Sequence, residues 1–147
     1  MGILIGAFVS CLLSGVFPWI AGEVVVLGAA ILLPPEALPA LVLFSSAGQV
    51  IGKLAVYGIA RWAPHQLPEG GRRVLDRASS LGRSRKAMSV TILTSAAVSL
   101  PPFYLTTLAC GTVGVPVKVF AAAGFGGTLL RYGAVAWSAT FISAGLG

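Results

Sequence analysis

Three ionisable residues of this 147-residue chain lie where an apolar sequence has no ordinary use for charge. Glu23 follows the break Phe17-Pro18-Trp19 and opens a short apolar stretch, while Lys53 and Arg131 fall inside long ones. A carboxylate in the first turn of a helix complements the positive end of its dipole, worth ~0.3–1 kcal/mol. At membrane depth an ionised side chain costs more than that, and it points to a proton site, an ion-pair partner or a bound lipid amine. Arg131 is separated from Lys118 by a run of uncharged residues, too far in to reach an interface, so it needs a wet cavity or an acidic partner. Lys53 precedes Arg61, the end of its segment, by ~12 Å of helix, within partial reach of an interface. Lys118 and Glu36 stand at segment ends and read as interfacial. Helix N-termini bind anions through free backbone N–H groups, so such cations beside a broken helix would hold a lipid phosphate. The expected site is Glu23, Lys53 and Arg131, with Pro18, Gly22, Pro101, Pro102 and Tyr104 at the breaks.

Other chemistry finds no support. His65, the lone histidine, sits in the loop Ala63–Gly71 and reads as solvated. Cys11 and Cys110 read as small packing residues, with no metal-ligand spacing around them. No ATP-binding motif is present. The chain is expected to be no enzyme and to need no cofactor or metal.

The elements that must carry these charges follow from composition. The chain is 56% hydrophobic and 10% charged, with a mean hydropathy of +0.93, against about 25% charged in soluble domains. It reads as an all-α integral membrane protein. Of ten Lys and Arg, seven lie between residues 61 and 86, so the net charge of +6 belongs to one connector and not to a nucleic-acid-binding face. The positive-inside rule puts that connector in the cytoplasm. Within it Val74, Leu75, Ala78 and Leu81 recur at helical spacing with arginines opposite, which suits an interfacial helix over Arg72–Arg83. No Lys or Arg precedes residue 53, so the opening apolar stretch reads as retained and not as a signal peptide.

The breakers fall in one pattern twice. An apolar arm (Gly2–Val16), a break at Pro18 and a short arm (Glu23–Leu33) lead through Pro34-Pro35 into a long segment from Ala37 to Arg61. The second copy has an arm (Ala87–Leu100), a break at Pro101-Pro102, an arm (Phe103–Val113), a corner at Pro116 and a long segment to about Leu146. Pro18 and Gly28 recur as Pro101 and Gly111, an offset of 83; Tyr57 and Trp62 recur as Tyr132 and Trp137, an offset of 75. The long segments reach ~37–45 Å and can cross a bilayer, whereas an eleven-residue arm reaches only ~17 Å. Each half (1–62 and 87–147, joined by 63–86) is then a re-entrant hairpin (1–34 and 87–114) plus one transmembrane helix (37–61 and 116–146). An odd number of crossings per half makes the second copy inverted, the layout of many transporters.

The residues now have a resemblance. Phe17-Pro18-Trp19-Ile20-Ala21-Gly22-Glu23 and Gly28-Ala29-Ala30 resemble the Pro/Gly-Glu first hairpin of the DedA family, also called VTT or SNARE-associated Golgi proteins. Gly48, Gly52, Tyr57, Ile59 and Arg61 match its following helix, with Ala60 where glycine is usual. Val115-Pro116-Val117-Lys118-Val119-Phe120, with Gly124 and Gly127, resembles its last conserved helix, so the likeness spans Phe17–Trp137. The resemblance implies lipid translocation: bacterial members are implicated in flipping polyprenyl-phosphate or phospholipid carriers, and eukaryotic members act as scramblases. Departures bear on substrate. Val98, Ser99, Tyr104 and Leu105 stand where many bacterial members carry arginines around the second hairpin's proline, and Lys53 stands where an acidic residue is common.

The expected function is a lipid flippase or scramblase of phospholipid or polyprenyl-phosphate type, with membrane lipids of anionic headgroup as partners and the prokaryotic plasma (inner) membrane as location. The alternatives are a small proton-coupled efflux carrier, which needs four full crossings, and a non-transporting scaffold. Gly48 and Gly52 let helices approach closely; packing within the fold is the reading preferred over a homo-oligomer.

Overall fold

In the computed structural model the described residues are 1–17, 20–62, 69, 85–98, 106–108, 110–111 and 114–147. Prolines set where the helices stop. Helix α1 (Gly2–Val16) ends at Phe17, whose backbone is extended (φ −105°, ψ 114°) because Pro18 follows, while its N–H still bonds the Leu13 carbonyl at 2.8 Å. Helix α2 (Gly22–Leu32) ends in the same way at Leu33, which precedes Pro34 and donates to Ala29 at 3.0 Å. A single 3-10 turn (Pro35–Ala37) leads into α3 (Leu38–Trp62). Helix α4 (Arg85–Val98) follows the connector, and residues 106–108 and 110–111 are also helical. Gly114 then turns the chain at φ 80°, a left-handed conformation that favours glycine, with its N–H on the Cys110 carbonyl at 3.1 Å. Pro116 precedes α5 (Val117–Gly145).

All of these elements are helices, and no strand occurs among the described residues. The connector 63–86 lies outside them except for Glu69, Arg85 and Lys86, and so does the expected interfacial helix Arg72–Arg83. Pro18, Pro101, Pro102 and Tyr104 also lie outside.

The chain divides into two compact units, Met1–Gly52 with Thr128–Gly147, and Lys53–Gly127. In the first, α1 packs on α2, and a core forms from Ala7, Cys11, Val26, Ala29, Leu38, Leu41, Tyr132 and Ala136. Helix α1 turns Ala7, Cys11, Ser14 and Gly15 inward and Ile3, Ile5, Val9 and Leu13 outward. The carboxyl half of α5 likewise buries Ala136 and Ala139 and exposes Trp137 and Phe141. Soluble helices do the reverse, turning their bulky apolar stripe to the core. Small and polar residues inside with large apolar ones outside is the arrangement of helices whose solvent is lipid. At 25 and 29 residues, α3 and α5 are ~37 and ~43 Å long and exceed the ~30 Å hydrocarbon core. Helices α1, α2 and α4, of 15, 11 and 14 residues, are too short to do so. The protein is an all-α membrane protein.

Close backbone approach holds each unit. In the first, a Cβ on Gly52 would run into the Leu12 carbonyl and lie 2.9 Å from the Gly15 Cα, and one on Gly48 would run into the Phe8 carbonyl. The Gly48/Gly52 pair therefore seats α3 on α1. In the second unit a Cβ on Gly127 would press on the Leu93 carbonyl and on Ala96. Gly127 stands to Leu93 and Ala96 as Gly52 stands to Leu12 and Gly15. The buried set Cys11, Ser14, Gly15 recurs as Ile92, Ser95, Ala96, an offset of 81. The offset of 81 relates the first arms, α1 and α4. Gly28 has open space around it, whereas Gly111 packs against the Tyr57 carbonyl and Ala60, so those two glycines are not equivalent.

Gly52→Leu and Gly127→Leu are each expected to cost at least ~1–3 kcal/mol through overpacking against backbone that cannot give way. Gly133→Ala, where nothing lies within 4 Å of the added carbon, serves as the neutral control. Thermal unfolding in detergent reads all three.

Candidate functional site

The first unit gathers its polar groups around the start of α2. Gly22 and Glu23 open that helix, and the preceding Ala21 supplies no side-chain cap to its free N–H groups. Glu23 forms an ion pair with Arg131, the residue at the middle of the 29-residue α5. Both partners keep part of their side chains exposed, 25% for Arg131 and 32% for Glu23. Arg131 thus has an acidic partner, and the pair is not sealed in the core.

Beside the pair lies a neutral hydrogen-bond cluster. The Oε1 of Gln49 on α3 accepts from Ser14 Oγ of α1 and from the Tyr132 hydroxyl of α5, each at 3.0 Å. All three residues are buried. Gly22 rests directly on the two hydroxyls: a Cβ there would collide with the Tyr132 hydroxyl and lie 2.9 Å from Ser14 Oγ. Cys11 adjoins Ser45 and Tyr132 on the inner side. The buried hydroxyl oxygens of Ser45 and Ser46 have no hydrogen-bond partner among the described residues.

The second unit has its own polar groups. Lys53, the first residue of that unit, is 3% exposed. It lies on the inward face of α3 beside Gly52 and Val56. Tyr57 stacks on Phe120 with ring centroids 5.1 Å apart and donates to the Val115 carbonyl, while Arg61 donates to the Tyr57 oxygen at 2.8 Å. Ser95 and Thr106 share a hydrogen bond of 2.9 Å. Glu36 and Lys118 are exposed at helix starts.

Of the residues expected to form the site, Glu23, Gly22 and Arg131 come together in one unit and Lys53 belongs to the other. Gln49, Ser14 and Tyr132 were not among them. Their signal was faint but present: Gln49 is the one amide in α3, a helix otherwise of apolar and small residues with a single lysine before its final arginine. In hydrocarbon such a group needs a partner.

The arrangement can hold a small charged group at mid-helix depth between a carboxylate, a guanidinium and uncapped backbone N–H groups. Among the described residues no cluster of His, Cys, Asp or Glu could hold a metal. The family model of the VTT domain matches residues 16–141. No curated protein and no solved structure matches the chain.

Proposed function

The chain belongs to the VTT domain family, the DedA type of membrane protein, and from that premise we propose that it is a flippase or scramblase of phosphate-bearing lipids. The observation that carries the reading is the Glu23–Arg131 ion pair. Arg131 stands at the centre of a helix long enough to cross the bilayer, ~21 Å from either end. Glu23, which bonds it, is the second residue of α2, immediately after the break. The break between α1 and α2 is therefore level with the middle of a spanning helix. This is what supports a re-entrant first hairpin, with the eleven-residue α2 returning to the surface it left. The glycine seats at Gly52 and Gly127 and the offsets of 75 and 81 support a second, inverted copy.

In this reading the lipid tails stay in the bilayer while the headgroup passes the pair. The phosphate competes with Glu23 for Arg131 and is received by the N–H groups that open α2, because both favour an anion. Two charges that satisfy each other in the resting state avoid the cost of an unpaired ion in hydrocarbon. A headgroup that exchanges partners with them crosses the midplane without creating one. Anionic headgroups are the expected cargo, and Lys53 adds positive charge in the second unit. The basic connector faces the cytoplasm of a prokaryotic inner membrane.

Topology provides the first test. Single cysteines near Pro35 are expected to react with an impermeant thiol reagent only from outside the cell, and those near Ser79 only from inside. Labelling of both from one side contradicts the inverted repeat, and reactivity of the two arms on opposite faces favours the proton-coupled carrier with four full crossings. Replacing Pro18 by Leu is expected to straighten the first hairpin, leaving membrane insertion intact while lipid movement falls.

A further inference from the structure

Headgroup exchange at the ion pair uses Glu23 and Arg131 but leaves the adjacent amide unexplained. Gln49 brings three helices to one atom, and a fourth rests on the hydroxyls it holds. Its Oε1 accepts from Ser14 on α1 and Tyr132 on α5, and Gly22 of α2 sits against both hydroxyls. Gln49 itself belongs to α3 and is 8% exposed. Gly22 adjoins Glu23 in sequence, and Tyr132 adjoins Arg131. Holding the Tyr132 hydroxyl over Gly22 therefore fixes the two backbones from which the ion pair springs. Two long charged side chains on unconstrained helices would meet in many geometries, and a partly exposed pair gains little unless its geometry is held.

A comparison within the chain points the same way. Tyr57, 75 residues before Tyr132, gives its hydroxyl to a backbone carbonyl, that of Val115. A backbone acceptor is available in any sequence. Tyr132 takes a side-chain acceptor instead, one that a single substitution would delete. A buried amide in an apolar helix is justified only by what it bonds.

We infer that Gln49 is a positioning residue for the headgroup site: its carbonyl registers α1, α2 and α5 so that Arg131 meets Glu23 where a phosphate can displace the carboxylate. The inference rests on the lipid-transport reading only for the phosphate. The registration of the pair stands on the geometry alone.

The experiment separates these. Thermal unfolding of the purified protein in detergent is measured for Glu23→Gln, Arg131→Gln and their combination, in the native background and with Gln49→Met, which keeps length and removes the acceptor. In the native background the double variant is expected to unfold well above the temperature that the two single shifts would sum to. With Gln49→Met the shifts should simply add. Tyr132→Phe, which removes one donor and preserves Gln49, should weaken the same coupling and serves if Gln49→Met does not fold. In vesicles with a titrated fluorescent phospholipid, Gln49→Met is expected to raise the half-saturating lipid fraction roughly tenfold, equivalent to ~1.4 kcal/mol of binding, with the maximal rate nearly unchanged. Coupling that survives both Gln49→Met and Tyr132→Phe overturns the inference. Coupling lost with lipid movement unaltered upholds the positioning role and contradicts headgroup binding at the pair.

Discussion

Glu23→Gln and Arg131→Gln are each expected to destabilise the protein and to reduce lipid movement at least tenfold, and combining them is expected to restore stability without restoring movement. Each single change strands one ion in an apolar surrounding. Breaking a fully buried pair costs ~3–5 kcal/mol; with a quarter to a third of each side chain exposed, the cost here falls below that range. The double change leaves two neutral amides able to bond each other, so the stranded charge disappears. Transport behaves differently because neither amide can hold a phosphate as a guanidinium does. Thermal unfolding and vesicle assays on the same four proteins check both halves. A double variant that is stable and fully active would remove the pair from the transport mechanism.

The second large effect is expected at Gly22. An alanine there would place its Cβ on the Tyr132 hydroxyl, with Ser14 Oγ 2.9 Å away. Either Tyr132 leaves Gln49 or α2 moves off α5, and in both cases Glu23 loses its register with Arg131. Overpacking of this kind costs ~1–3 kcal/mol, and lipid movement should fall about as far as in the ion-pair variants. Gly22→Ala combined with Tyr132→Phe is expected to recover part of the lost stability, since the colliding oxygen is gone and the ring carbon behind it stands 3.3 Å from the new methyl. No recovery in the combined variant would mean that Gly22 is needed for a reason other than this hydroxyl.

Helix ends were the most legible feature of the sequence. Proline constrains its own backbone and that of the residue before it, so Phe17 and Leu33 stop their helices wherever the rest of the chain lies. The expected arm Gly2–Val16 coincides with α1, and the long segments 37–61 and 116–146 differ from α3 and α5 by a residue at either end. Glu23 and Arg131 stand out in the sequence because ions are rare and costly in apolar segments. Their pairing does not, since Glu23 and Arg131 belong to opposite ends of the chain and only packing of α2 against α5 brings them together. Gln49 does not stand out in the sequence, for a related reason. One neutral amide carries little compositional weight, and its importance appears only when hydroxyls from α1 and α5 converge on it. Environments were not legible either: Gly28 and Gly111 share a residue type but not their surroundings.

Vesicles containing only the purified protein and a trace of fluorescent phospholipid, treated with a membrane-impermeant quencher, measure lipid translocation with no other component present. The expected result is that label initially in the inner leaflet becomes quenchable with the native protein and stays protected with Arg131→Gln. Inner-leaflet label that stays as protected with the folded, inserted native protein as in protein-free vesicles, for every phosphate-bearing lipid tried, would contradict lipid transport and leave the scaffold reading in its place.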